Sequence, residues 1–161
     1  MTGVQQELIA ELEEQERQLV FSRFDNSDAW QLGCAMVAAA TERELPLAID
    51  IRRHGHQLFH ASLPGTVADN DGWIERKVNV VNRFGASSYL VGRRLAADGR
   101  ELDAALGVEP AKFAAHGGSF PIRIVDVGVV GTITVSGLPQ SEDHAFVTEM
   151  IAAFLRGPAQ A

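Results

Sequence analysis

Apolar residues recur at helical spacing over 4–20, where Val4, Leu8, Ile9 and Leu12 form a stripe and glutamates cover the other faces. The pattern predicts an amphipathic helix that docks on the body of the protein or serves oligomerisation. After Asp25-Asn26-Ser27, any of which can cap, Trp30, Gly33, Met36, Val37 and Ala40 mark a second helix running to about Glu44, before Pro46. Its small residues permit close packing. The period then changes to two: residues 47–52 and 57–63 flank His54-Gly55-His56 and predict a β-hairpin. A three-residue loop sets Ile51 against Phe59 and Ile49 against Ala61, keeping apolar with apolar, whereas a two-residue turn sets Asp50 against Phe59. The first register gathers Asp50, Arg52, Leu58 and His60 on one face, with Asp50 opposite His60.

Beyond Leu63-Pro-Gly-Thr66, Asp69-Asn70-Asp71 supplies capping and acidic residues ahead of a helix over 72–84 that Gly85 ends. Ser87-Ser88 caps a further helix reaching Asp98-Gly99, and short helical turns follow before Gly107 and over 110–115. Residues 119–125 and 127–136, rich in β-branched side chains and parted by a turn at 126–128, predict a second hairpin. The break at 137–143 precedes a last helix with one broad apolar face, Phe146, Val147, Met150, Ile151, Phe154 and Leu155. Gly157-Pro158 ends it, and 157–161 is expected to fray. Residues 19–24 are expected to add an edge strand. This order of elements predicts an α/β (α+β) domain over 1–161, built on a single-layer, mostly antiparallel, five-stranded sheet flanked by helices.

Composition narrows the function classes. The 161 residues suit one domain, and 46% hydrophobic with 22% charged side chains excludes wholesale disorder. Fourteen Lys and Arg against 21 Asp and Glu give a net charge of −7, which argues against a general nucleic-acid or anionic-membrane binder. No run approaches the roughly 18 apolar residues of a membrane span. The first twenty residues are acidic where a signal peptide is basic and then apolar, so the expected location is cytoplasmic. The single Cys34 falls in a helical pattern and is expected to be a buried, reduced thiol.

Among the candidate chemical residues, Lys77 stands out because it lies four after Trp73, three after Ile74, three before Val80 and four before Val81, on the apolar face of its helix. A desolvated ammonium there suits a shifted pKa or a grip on a ligand carboxylate; the structural alternatives are a snorkelling stem or a pair with Asp50. His60 shares a hairpin face with Asp50 and Arg52, an arrangement that can fix an imidazole tautomer or merely satisfy a histidine. His116-Gly117-Gly118-Ser119 offers flexible amides beside an imidazole and a hydroxyl, a cradle for an anionic group or simply a turn needing positive φ. It matches neither the dinucleotide nor the phosphate-loop fingerprint. His54, His56 and His60 lack compact metal-ligand geometry, and no serine sits in a nucleophile elbow, so no metal site and no catalytic residue is assigned.

Several of these residues also carry a resemblance. Ala-Ile-Asp50, Leu63-Pro-Gly-Thr66, the helix with Lys77, Gly117-Gly-Ser-Phe-Pro-Ile122, the strand over 131–137 and the acid-rich 140–143 resemble the haem-degrading or haem-binding superfamily. That group is related to the glycolate-utilisation accessory proteins and to the carboxy-terminal domain of a cobalamin adenosyltransferase. Ala48-Ile-Asp-Ile-Arg52, Gln57-Leu-Phe-His60, Arg76-Lys77 and 115–123 are similar to the UPF0303-like family within it. The resemblance implies an antiparallel, profilin-like sheet with flanking helices, assembly into homodimers or larger homo-oligomers, and a link to haem or small-molecule binding. It marks Asp50, Lys77, Gly117 and Gly118 as matching motif positions. The reading that follows is a ligand-binding protein with a pocket drawn from Lys77, Asp50, Arg52, His60, His116, Gly117, Gly118 and Ser119. Its ligand is haem or a small organic acid. Oxidative haem cleavage and a cofactor-free oligomeric scaffold stand as the two alternatives.

Overall fold

A four-stranded antiparallel sheet organises the chain, which the computed structural model describes over residues 2–160. Its strands are β1 (Ala48–Arg53), β2 (His56–Ser62), β3 (Ser119–Ile124) and β4 (Gly128–Ser136), in spatial order β2-β1-β4-β3. The helices are α1 (Gly3–Gln18), α2 (Asn26–Glu42), α3 (Ala68–Phe84), α4 (Ser88–Ala97) and α5 (Gln140–Leu155). Strand alternation gives the sheet two unlike faces. Ile49, Ile51, Phe120, Ile122, Ile133 and Val135 point to one side, where α2 and α5 cover them with Leu32, Met36, Phe146, Val147 and Ile151. The other side carries Asp50, Ser119, Thr132, Thr134 and Ser136, all buried, and α3 lies across it on a small apolar contact of Ala48, Ile74 and Val78. Helix α1 packs Leu8, Ile9 and Leu12 against Val80, Leu90 and Val91, while Val4 at its start stays exposed.

Several expectations need correction. The fifth strand reduces to one parallel bridge between Phe21 and Ile124. Phe21 turns wholly into the core beside Phe24, and Asp25 then caps α2, so the chain leaves the sheet edge after a single pairing. In the first hairpin the register is the apolar one, Ile51 with Phe59 and Asp50 with His60, yet the turn has two residues. His54 and Gly55 both take positive φ, and a bulge at Leu58 absorbs the extra residue. Leu58 therefore packs with the core, and Gln57 replaces it beside Asp50. Helix α3 begins before the expected 72, because Asn70 reaches back to accept from the Val67 amide at 2.8 Å. Cys34 is exposed, two residues past buried Leu32 and so on the outer side of α2. The tail does not fray through 160: Gln160 accepts from the Ser22 amide and donates to the Arg23 carbonyl, both at 2.9 Å. Ala161 lies outside the described residues. No helix among them is long and apolar enough to cross a membrane.

One buried group couples the α1–α5 contact to pH. His144 Nε2 donates to Gln15 Oε1 at 2.7 Å, and its ring lies between Tyr89 and Phe120. Burial pushes its pKa down to about 4. The unfolded chain binds this proton near the ordinary histidine value and the folded chain does not, so stability falls as pH drops from about 6.5 towards 4. The expected loss from this group is about 3 kcal/mol across that window. Urea unfolding at pH 7 and pH 4.5 should show a smaller acid loss in His144→Phe; an equal loss would remove His144 as its source.

Candidate functional site

The polar face of the sheet explains why α3 tolerates a lysine on its inner side. Lys77, 3% exposed, donates to the Val135 carbonyl at 2.9 Å and to Asp143 Oδ2 at 3.0 Å. Asp143 sits in the first turn of α5, and its second oxygen accepts from the Leu138 amide at 3.0 Å. The pair is thus shared between α3, β4 and α5. Desolvation holds the Lys77 ammonium below its usual range against the pull of Asp143, and raises the Asp143 carboxyl against the pull of Lys77. Gly118 closes over the pair at φ 135°, where a Cβ would stand 2.5 Å from Lys77 Nζ. Close approach, more than an amide cradle, accounts for that glycine.

Beside the pair lies a chamber of about 320 Å³ lined by Asn70, Trp73, Lys77, His116, Ser136 and Gln140 among others. Trp73 and His116 form the wall it shares with a larger cleft of about 690 Å³. This cleft carries three cations, Arg76, Arg93 and Arg100, together with Phe113 and the single acid Glu101. The Arg76 guanidinium lies 4.1 Å from the Trp73 ring centre, and the buried Arg93 Nε has no hydrogen-bond partner among the described residues. His116 stands edge-on to Trp73, with ring centres 5.4 Å apart. Partial burial holds its pKa below the usual histidine value, and the charges of Lys77, Arg93 and Arg76 add to the effect. Its imidazole is therefore neutral at pH 7, the form that ligates metals.

The residues singled out in the sequence fall into separate places. Lys77, His116, Gly117 and Gly118 gather at the chamber and its wall. Asp50, Arg52 and His60 lie on the far side of α3, in a pocket of about 260 Å³ with Gln57, Asp71 and Glu75. Lys77 does not pair with Asp50, because Asp50 is held by Arg52 at 2.8 Å and Gln57 at 2.6 Å. His60 does not use Asp50 either; it donates to Asp71 at 2.9 Å. Ser119 is fully buried, its hydroxyl bonded to Thr134 and its amide to Ser88, away from both openings. The Gly117 amide is taken by Gln140 at 3.2 Å, so the loop supplies fewer donors than its sequence suggests. Sequence reasoning missed Asp143, Arg76, Arg93, Arg100 and Phe113. Asp143 was signalled only by the acid-rich start of the last helix, and Arg76 only as the neighbour of Lys77 in a matching motif. Among the described residues no three His, Cys, Asp or Glu side chains converge as a metal site.

A polar sheet face clasped by a buried Lys–Asp pair, with an arginine-lined cleft alongside, defines a small α+β fold with helices on both faces of one sheet. The family model "Haem degrading protein HbpS-like" matches residues 24–152, and the chain belongs to that family. Within it, the chain belongs with the UPF0303 proteins: one from Streptomyces coelicolor is 58% identical over 147 residues, covering 91% of this chain and 93% of the relative. The crystal structure of Ybr137w protein superposes with a TM-score of 0.81 at 35% identity, covering 91% of this chain and 86% of that one. The crystal structure of a PduOC:heme complex shares the fold, with a TM-score of 0.66 at 19% identity over 81% of this chain and 94% of that one.

The clasp has a measurable consequence. Removing one member leaves the other buried without its counter-charge, so Asp143→Ala should cost about 3–5 kcal/mol in urea unfolding. The apolar pair Lys77→Met with Asp143→Leu should come back to within about 2 kcal/mol of the parent. A double variant as unstable as the single would show that the hydrogen bonds, rather than the unpaired charge, set the cost.

Proposed function

We propose that this protein binds a planar, carboxylate-bearing small molecule in the arginine cleft, with haem as the ligand class that the chemistry and the family favour. The carrying observation is the cleft itself: a volume of about 690 Å³, Trp73 and Phe113 as flat apolar walls, and Arg76, Arg93 and Arg100 against one acid. Ligand carboxylates would meet guanidinium groups, which hold such groups bidentately. The neutral His116 imidazole at the inner wall would ligate the iron, while Lys77, Gly117 and Gly118 shape the floor beyond it. Bound haem would supply a redox-active iron; the chain's own residues orient the ring and shield its inner edge from water. The HbpS-like family and the haem complex of a protein with this fold support the same ligand.

Ligand binding in a cytoplasmic homo-oligomer is the fuller form of this reading. Oxidative haem cleavage would further require electrons from a partner, and a scaffold without cofactor would leave the three arginines without a purpose.

Titrating haem into the purified protein should give a saturable absorbance shift that His116→Ala alters in wavelength. Arg93→Ala with Arg100→Ala should weaken it by about tenfold or more, since a charge-assisted hydrogen bond contributes about 1.5–3 kcal/mol. His60→Ala should leave it unchanged. A shift that ignores His116 and the arginines would refute this site, and no saturable shift would refute haem as the ligand.

A further inference from the structure

Arginine is the usual cation for a buried ion pair, because it holds its charge and forks onto a carboxylate. This chain follows that preference almost everywhere: of its fourteen basic residues only Lys77 and Lys112 are lysines. Yet the cation buried at the floor of the inner chamber is one of those two. What a lysine offers there and an arginine does not is a neutral amine, a nucleophile towards carbonyl carbon.

From this placement we propose that Lys77 forms a reversible imine with a small oxo acid admitted to the inner chamber. Four observations carry the inference. Lys77 lines a chamber of about 320 Å³, large enough for a molecule of a few carbons. Asp143, 3.0 Å from Nζ, stands ready to take the ammonium proton. Burial favours the neutral form of both partners, which raises the share of free amine above that of an exposed lysine. Gly118 places no side chain against Nζ.

The step balances without an outside oxidant or reductant. The Lys77 ammonium passes a proton to the Asp143 carboxylate, and the amine adds to the carbonyl carbon as the C–O π electrons move to oxygen. Asp143 returns its proton to that oxygen to give a carbinolamine. The C–O bond then breaks, oxygen leaves as water with the second nitrogen proton, and the C=N bond forms. Amine plus carbonyl gives imine plus water. The positive charges of Arg76 and Arg93 beyond His116 draw an acid's carboxylate towards the shared wall, which selects an oxo acid over a simple aldehyde. The two proposals fail separately: a haem titration reads His116 and the arginines, whereas imine formation is read at Lys77.

The test uses pyruvate as the probe with cyanoborohydride at pH 7, followed by peptide mass spectrometry. Lys112, 67% exposed in its side chain, is the internal reference. Lys77 should carry the reduced adduct in clear excess over Lys112, since a lowered pKa raises the free-amine fraction. The preference should vanish in urea. No adduct at Lys77, labelling of Lys112 to an equal or greater extent, or a preference that persists in urea would each overturn the proposal.

Discussion

The arrangement of this protein depends on one buried ion pair, Lys77 with Asp143, each 3% exposed in its side chain. Two charges taken out of water are costly, and their attraction offsets that cost only when the remaining hydrogen-bonding capacity is also met. Here the Val135 carbonyl takes one ammonium proton and the Leu138 amide serves the second carboxylate oxygen. The pair therefore ties the middle of α3 to the end of β4 and the start of α5, which lie 58 and 66 residues further along the chain at Val135 and Asp143. Gly118 lets the preceding loop close over the clasp, which sets His116 at the boundary between chamber and cleft.

The two faces of the sheet divide stability from chemistry. On one, isoleucines, phenylalanines and valines under α2 and α5 remove a large apolar area from water and supply the main driving force for folding. On the other, Asp50, Thr132, Thr134, Ser119 and Ser136 leave α3 with little apolar surface to grip, only Ala48, Ile74 and Val78. Polar contacts must then position α3, and they leave openings along both of its flanks. One opening is the acidic pocket around Asp50, Arg52 and Glu75, whose charges satisfy each other. The other holds arginines facing few acids, and that imbalance is why the proposed ligand is placed there. A chain of net charge −7 thus keeps a local cationic cleft.

The helices and hairpins were legible because their apolar periods are strong and their ends carry caps, as at Asp25, Ser87 and Gly85. The oddity of Lys77 was legible for the same reason, as a charge in an otherwise apolar stripe. Its partner was not: nothing local to 140–143 says which acid turns inwards, and Asp50 was an equally reasonable candidate on the sheet. The bulge at Leu58 was also hidden, since a two-residue turn with a bulge and a three-residue loop give the same Ile51–Phe59 pairing. Arg93 and Arg100 escaped notice because a cleft between α4 and the 110–116 segment is a tertiary property, invisible to periodicity.

The central claim is that the ligand enters beside Trp73 and His116, and the chain's two tryptophans allow a direct check. Trp73 lines the cleft and the chamber, while Trp30 lies exposed against Phe59 on α2, outside either opening. Indole N–H resonances followed during titration with a diamagnetic metalloporphyrin bearing two carboxylates report on both at once. A saturable shift of Trp73 with Trp30 unmoved is the expected result; a shift of Trp30 alone, or of neither, would contradict the account.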